Sequence, residues 1–143
     1  MQQIHDFGPM PYAVNIDNVT TANRTYRTAI WTGKNLQATV MCINPGDDIG
    51  LEIHHDTDQF IRLEEGCGLV QMGLSRDNLY YQQHVQRDWA VFVPAGTWHN
   101  ITNTGHGPMK VYTIYAPPHH PWGTIHQTKA IAEQMEGNAD ANG

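Results

Sequence analysis

The sequence predicts an all-β fold, a closed barrel or a double sheet, with one short helix at its C-terminal end. Three observations carry this. Glycine (13) and proline (8) punctuate the 143-residue chain about every ten residues, between short apolar or β-branched runs. Several of those runs alternate in the way of a half-buried strand. Only one stretch, Thr128 to Glu136, has the look of a helix. The length fits one domain, residues 1–143, able to bury roughly 70% of its unfolded surface. A hydrophobic fraction of 40% and a charged fraction of 15% read as folded rather than disordered.

The candidate strands are Ala13–Ile16, Thr25–Thr32, Leu36–Ile43, Ile49–His54, Gln59–Glu64, Gly68–Met72, Leu79–Val85, Trp89–Val93, His99–Thr102 and Met109–Ala116. From Lys110 to Tyr115 both faces carry bulky groups, so this strand is expected to be covered on both sides. Thr32-Gly33-Lys34-Asn35 reads as a tight hairpin. Glu64-Glu65-Gly66, Ser75-Arg76-Asp77-Asn78 and the run from Asn103 to Pro108 read as connections. Pro117, Pro118 and Pro121 make the stretch from Ala116 to Gly123 a stiff crossing segment. The helix comes next, with Gly137 as its stop and Asn138 to Gly143 frayed. The barrel core is thus expected over about 25–116, and the Pro-rich segment with its helix over 117–137. Tyr112, Tyr115, Trp89, Trp98 and Phe92 read first as core residues.

Charge and composition exclude several classes. Five Arg and three Lys against 14 acidic residues give a net charge of −6, without the basic footprint of a nucleic-acid binder. There is no polybasic patch for an anionic membrane and no apolar run near the ~20 residues that span a bilayer. The stretch from Met1 to Asp6 lacks the basic and apolar regions of a secretion signal. Cys42 and Cys67 are too few for a disulfide framework, and two thiols suit a reducing cytoplasm. The order of a Ser-His-Asp triad and a phosphate-cradling Gly loop are both missing.

Nine histidines against three lysines raise the question of whether the imidazoles converge. Two segments answer it. In Glu52-Ile53-His54 the carboxylate and imidazole stand two apart, on one side of an extended strand. His55 points the other way, and is the alternative inward residue. Gln59 comes after a short turn and can return to the same side, whereas Asp56 and Asp58 read as turn residues. The second segment, Pro94-Ala95-Gly96-Thr97-Trp98-His99, sets a rigid turn before a histidine at the start of a strand. For each of these residues the plain alternative is a satisfied interior polar group. His119, His120 and His126 read as surface histidines beside prolines, or else as part of a tail crossing the barrel mouth. His5, His84 and His106 have no readable partner.

These segments resemble the two motifs of the cupin superfamily. The first is Gly, five residues, His-x-His, three or four residues, Glu, six residues, Gly; here Gly46, Glu52-Ile53-His54, Gln59 and Gly66 keep that spacing. The second is Gly, five residues, Pro-x-Gly, two residues, His, three residues, Asn. Pro94, Gly96, His99 and Asn103 match it, and Asp88 stands at its leading glycine. The nearest likeness is to small bacterial single-domain cupins. The resemblance implies a double-stranded β-helix, or jelly-roll barrel, with a divalent metal inside, and often a homodimer.

The departures bear on the chemistry. Cupins usually offer three His and one Glu; here Glu52 replaces the first His and Gln59 replaces the Glu. The carboxylate has in effect moved, and the set becomes Glu52, His54, His99 and the weaker donor Gln59, which either coordinates or hydrogen-bonds a metal-bound water. Two His and one carboxylate suit Mn, Fe, Ni or Zn, without choosing among them. Positions left open on the ion permit Lewis-acid or O₂ chemistry on a small polar or carbonyl-containing molecule. An isomerase, lyase or dioxygenase is the first expectation. A non-catalytic binding module is the second, and a storage protein using only the barrel's stability the third.

Overall fold

The computed structural model describes the backbone of residues 4–142 and the side chains of residues 4–136. Turn chemistry sets the first pairing. The Gly33 N–H donates to the Leu36 carbonyl at 2.9 Å, closing the expected hairpin between β1 (Arg27–Thr32) and β2 (Gln37–Ile43). The remaining strands are β3 (Asp58–Glu65), β4 (Cys67–Gly73), β5 (Tyr81–Gln86), β6 (Ala90–Val93), β7 (Trp98–Asn103), β8 (Met109–Ala116) and β9 (Ile125–His126). They form a six-stranded sheet, β6-β3-β8-β2-β1-β9, and a three-stranded sheet, β5-β4-β7, antiparallel throughout. The inner faces meet in a core that includes Met41, Ile43, Ile61, Leu63, Val70, Ile101, Met109 and Val111. Hydrophobic burial of these rows drives the two sheets together. The architecture is the jelly roll implied by the motifs.

The tight link from β3 to β4 explains one motif glycine. Gly66 has φ +90°, and an added Cβ would lie 2.8 Å from the Pro108 carbonyl oxygen. Asp88, at the other motif's leading glycine, also takes a positive φ of 73°. The backbone thus keeps the glycine conformation where the residue does not, at some steric cost.

Four expectations are corrected. Ala13–Ile16 is not a strand; α1 (Ile16–Ala22) begins there, with the Asn15 side chain accepting from the Asn18 N–H at 3.0 Å. Ile16 and Val19 pack on Ile30, Ala38 and Val40 and cover the outer face of the large sheet. Lys110 donates to the Thr21 and Asn23 carbonyls at the end of α1. β8 is therefore covered on both sides, as its sequence predicts. Secondly, Ile49–His54 is no regular strand. It runs beside β7 but is interrupted near Gly50, which has φ +92°. Thirdly, α2 (Lys129–Asn142) runs through Gly137 instead of stopping there. The side chains of 137–143 lie outside the described residues, and with them the expected fraying. Fourthly, Trp89 and Phe92 are exposed: Trp89 lies in the turn before β6, and Phe92, 70% exposed, sits on β6 itself, a short edge strand. No described helix is long and apolar enough to cross a membrane. Cys42 and Cys67 are both free thiols.

Candidate metal centre

The site is assembled by backbone pairing. The Glu52 N–H donates to the His99 carbonyl at 3.1 Å and the His99 N–H to the Glu52 carbonyl at 2.9 Å. Such a reciprocal antiparallel pair sends both side chains to the same face. Between the bridges Asp48–Thr102 and Glu52–His99, the 48–52 side advances one residue more than β7 does. That extra residue is a bulge, and it re-aims the chain beyond Glu52. His54, two residues on, is buried, while His55 is exposed. The inward imidazole is thus His54. Its carbonyl accepts from the Gly96 N–H at 2.8 Å, which ties it to the Pro94-Ala95-Gly96 turn. The Asp58 carboxylate accepts from the Ala95 N–H at 2.8 Å and caps the same turn, as expected of its side chain, although Asp58 itself begins β3 and is not a loop residue.

Glu52 Oε1 lies 3.2 Å from His54 Nε2 and 3.6 Å from His99 Nε2. One ligand atom from each of the three residues lies within 4.8 Å of the others. Donors bound about 2.1 Å from one ion sit about 3.0–3.4 Å from their neighbours in the shell; the His54 separation falls in that range and the His99 separation lies just outside it. Tautomer chemistry points the same way. His99 Nδ1 is 3.0 Å from the Thr97 carbonyl oxygen. A carbonyl only accepts, so Nδ1 carries the proton and Nε2 turns its lone pair toward the Glu52 carboxylate. Two acceptors facing each other in a buried site call for a positive charge between them, a proton or a metal. Burial alone would raise the Glu52 pKa. The hydrogen bond from His54 and the electrostatics of the two neighbouring imidazoles outweigh it and hold the carboxyl well below the usual range. Glu52, His54 and His99 therefore form a candidate metal site.

Gln59 enters from β3 opposite Tyr115 of β8, whose ring lies 5.8 Å from that of His54. The Gln59 side chain is buried and its Oε1 has no hydrogen-bond partner among the described residues, as is also true of His99 Nε2. An unpaired buried amide oxygen at this end of the barrel fits a weak donor toward a cation.

The histidines after the prolines are harder to read from sequence. His120 and His126 are buried, which corrects the surface reading. The tail crosses the mouth, and the His119 ring lies against that of His54, with centroids 4.0 Å apart and planes tilted by 56°. Gln37, fully buried, fixes this segment. Its Oε1 accepts the backbone N–H groups of His119 and His120, and its Nε2 donates to the His120 carbonyl. Burial and neighbouring positive charge lower the His119 pKa to about 4, and burial with Arg27 lowers those of His120 and His126. Arg27 is 2% exposed and reaches His126 Nδ1 at 3.0 Å and Glu136 at 3.2 Å. Neither its burial nor the Gln37 clasp has a sequence signature, because both depend on distant partners.

A cavity of about 470 Å³ opens onto Glu52 and His54. His119, Tyr26 and Arg76 line it, and α2 closes one side with Lys129, Ala132 and Glu136. Lys129 holds α2 in place through Asp47 and Asp48. The site therefore has buried donors below and a ligand-sized space above.

Comparison with known proteins gives a consistent result. Residues 39–115 match the Cupin domain family. A Bacillus subtilis (strain 168) relative, named uncharacterized protein YrkC, is 56% identical over 133 residues, covering 93% of this chain and 72% of its own length. Uncharacterized protein L612 of Acanthamoeba polyphaga mimivirus is 40% identical over 116 residues, covering 80% and 70%. The crystal structure of BH2720 from Bacillus halodurans superposes with a TM-score of 0.91 at 58% identity, covering 92% of this chain and 99% of the other. With Gly46, Gly66 and Gly96, the paired sheets and the inward carboxylate and imidazoles in place, this chain belongs to the cupin family.

Proposed function

We propose that the protein is a divalent-metal cupin acting as an enzyme on a small polar or carbonyl-containing molecule, of the isomerase, lyase or dioxygenase type. Glu52, His54 and His99 hold the ion, with Gln59 as the weaker fourth donor, and Mn, Fe, Ni and Zn all suit this set. The observation that carries the reading is the Glu52 carboxylate facing His99 Nε2 at 3.6 Å while His99 Nδ1 is committed to Thr97. A bound divalent ion supplies Lewis acidity toward a substrate oxygen. The chain's own groups do the rest. Thr97 fixes the His99 ring, the cavity limits substrate size, and His119 places a titratable group on the wall beside the ligands. That last feature favours an enzyme over a binding module with the same ion. A cytoplasmic homodimer completes the reading, and sedimentation of the purified protein tests the dimer.

Elemental analysis of protein purified without chelator or affinity nickel tests the metal. About one equivalent of a transition metal is expected in the wild type, lost in His54→Ala and in His99→Ala. A wild type free of transition metal from every growth medium would overturn the proposal. Metal without turnover across small carbonyl compounds would leave the binding module.

A further inference from the structure

The charged groups around the cavity are almost all matched. Glu52 faces His54 and His99, Glu136 reaches Arg27, and Lys129 holds Asp47, Asp48 and Glu133. Arg76 is the exception. It lines the cavity from the turn between β4 and β5, and among the described residues it has no carboxylate within ion-pair distance. Its guanidinium is held over the Trp98 ring, 5.2 Å from the centroid. Trp98 directly precedes His99 in β7, so one strand supports both the guanidinium and an imidazole of the site. Stacking restrains a flexible side chain and leaves its N–H fork available.

We infer that the cavity takes a small carboxylic acid, with its carboxylate on Arg76 and a second oxygen toward the ion. This rests on the proposed metal site. The charge arithmetic supports it: one carboxylate among the three principal donors leaves a divalent ion with net positive charge, and Arg76 adds a second positive pole at the rim. A guanidinium also recognises a carboxylate in bidentate fashion. The cavity volume of about 470 Å³ suits a molecule of this size.

Calorimetric titration of Co²⁺-loaded protein tests the inference. The probes are pyruvate, acetoacetate and levulinate, which set the keto oxygen progressively farther from the carboxylate, each against its methyl ester. At least one acid is expected to bind wild type more tightly than its ester. Arg76→Ala should weaken that acid by about tenfold or more and leave the ester unchanged. Arg76→Lys should recover part of the loss, because a point charge lacks the fork. Metal content should be equal in all three proteins, since Arg76 does not touch the donors. Equal acid affinity in wild type and Arg76→Ala overturns the inference, as does wild type with no preference for any acid over its ester. Failure to take up Co²⁺ overturns the metal reading and this inference with it, whereas uptake without acid preference overturns this one alone.

Discussion

Along the inward rows of the large sheet, the two ends of the barrel interior are built to different rules. At one end Ile43 pairs with Met109, Met41 with Val111, and Leu63 lies opposite Val111. At the other, on the same strands, Thr39 pairs with Thr113, Gln37 with Tyr115, and Gln59 lies opposite Tyr115. The apolar end asks only for volume and close packing. At the polar end every buried donor and acceptor needs a partner. Thr39 and Thr113 find each other at 2.7 Å and Gln37 finds the tail, but Gln59 Oε1 and His99 Nε2 have none among the described residues. Packing can thus be satisfied within a sheet, whereas the polar end draws on the tail and brings together the candidate metal donors.

The contrast breaks most visibly in paired substitutions. Leu63→Ala, at a fully buried position, is expected to cost about 3 kcal/mol of unfolding free energy with metal content unchanged. His99→Ala should do the reverse, losing the ion while chelator-treated protein loses less stability than Leu63→Ala. Denaturant unfolding beside elemental analysis checks both, and a His99→Ala protein that keeps its metal would erase the distinction. Asn103 joins the two rules. Its amide donates to the Ile43 and Gly107 carbonyls and accepts from the Gly105 N–H, each at 2.9 Å. Asn103→Ala should cost about 2–3 kcal/mol, because the buried Ile43 carbonyl loses its donor and the Gly105 N–H its acceptor.

The polar end should also respond to acid. His119, His120 and His126 have folded pKa values below the ordinary 6.5, that of His119 at about 4. Their unfolded forms take protons first as pH falls, so stability is full above pH 6.5 and declines toward the lowered values. Chelator-treated protein is expected to be less stable at pH 5 than at pH 7, and His120→Gln to flatten that slope. An unchanged slope in the variant would show that the tail histidines do not carry it. The smallest effect is expected at Asp88, whose N–H donates to the Leu63 carbonyl at 2.8 Å from an exposed position. Asp88→Gly relieves the positive φ, and its contact with Arg62 is exposed and worth little, so a gain of about 1 kcal/mol or less should appear in thermal unfolding.

Much of this was legible in the chain. Gly46, Gly66 and Gly96 stand where positive φ is required, and alternation marked most strands. The order Glu52, His54, Gln59, His99 carried the candidate site because spacing along extended chain maps onto direction. What failed has a physical cause. A seven-residue helix after Asn15 has too little periodicity to show, and Gly50 interrupts a run that alternates well enough to pass for a strand. Phe92 looked like core because composition does not reveal which strand ends a sheet.

By itself, then, the sequence determined the family, the turns and three converging donors, since these depend on local geometry and fixed spacing. Only the tertiary structure decided that His120 and Arg27 are interior, that Gln37 clasps the tail, and that Arg76 stands over Trp98 at the cavity mouth. Those facts depend on pairs of side chains brought together from remote parts of the chain. No local propensity encodes such a meeting; burial and partner geometry settle it once the sheets have closed.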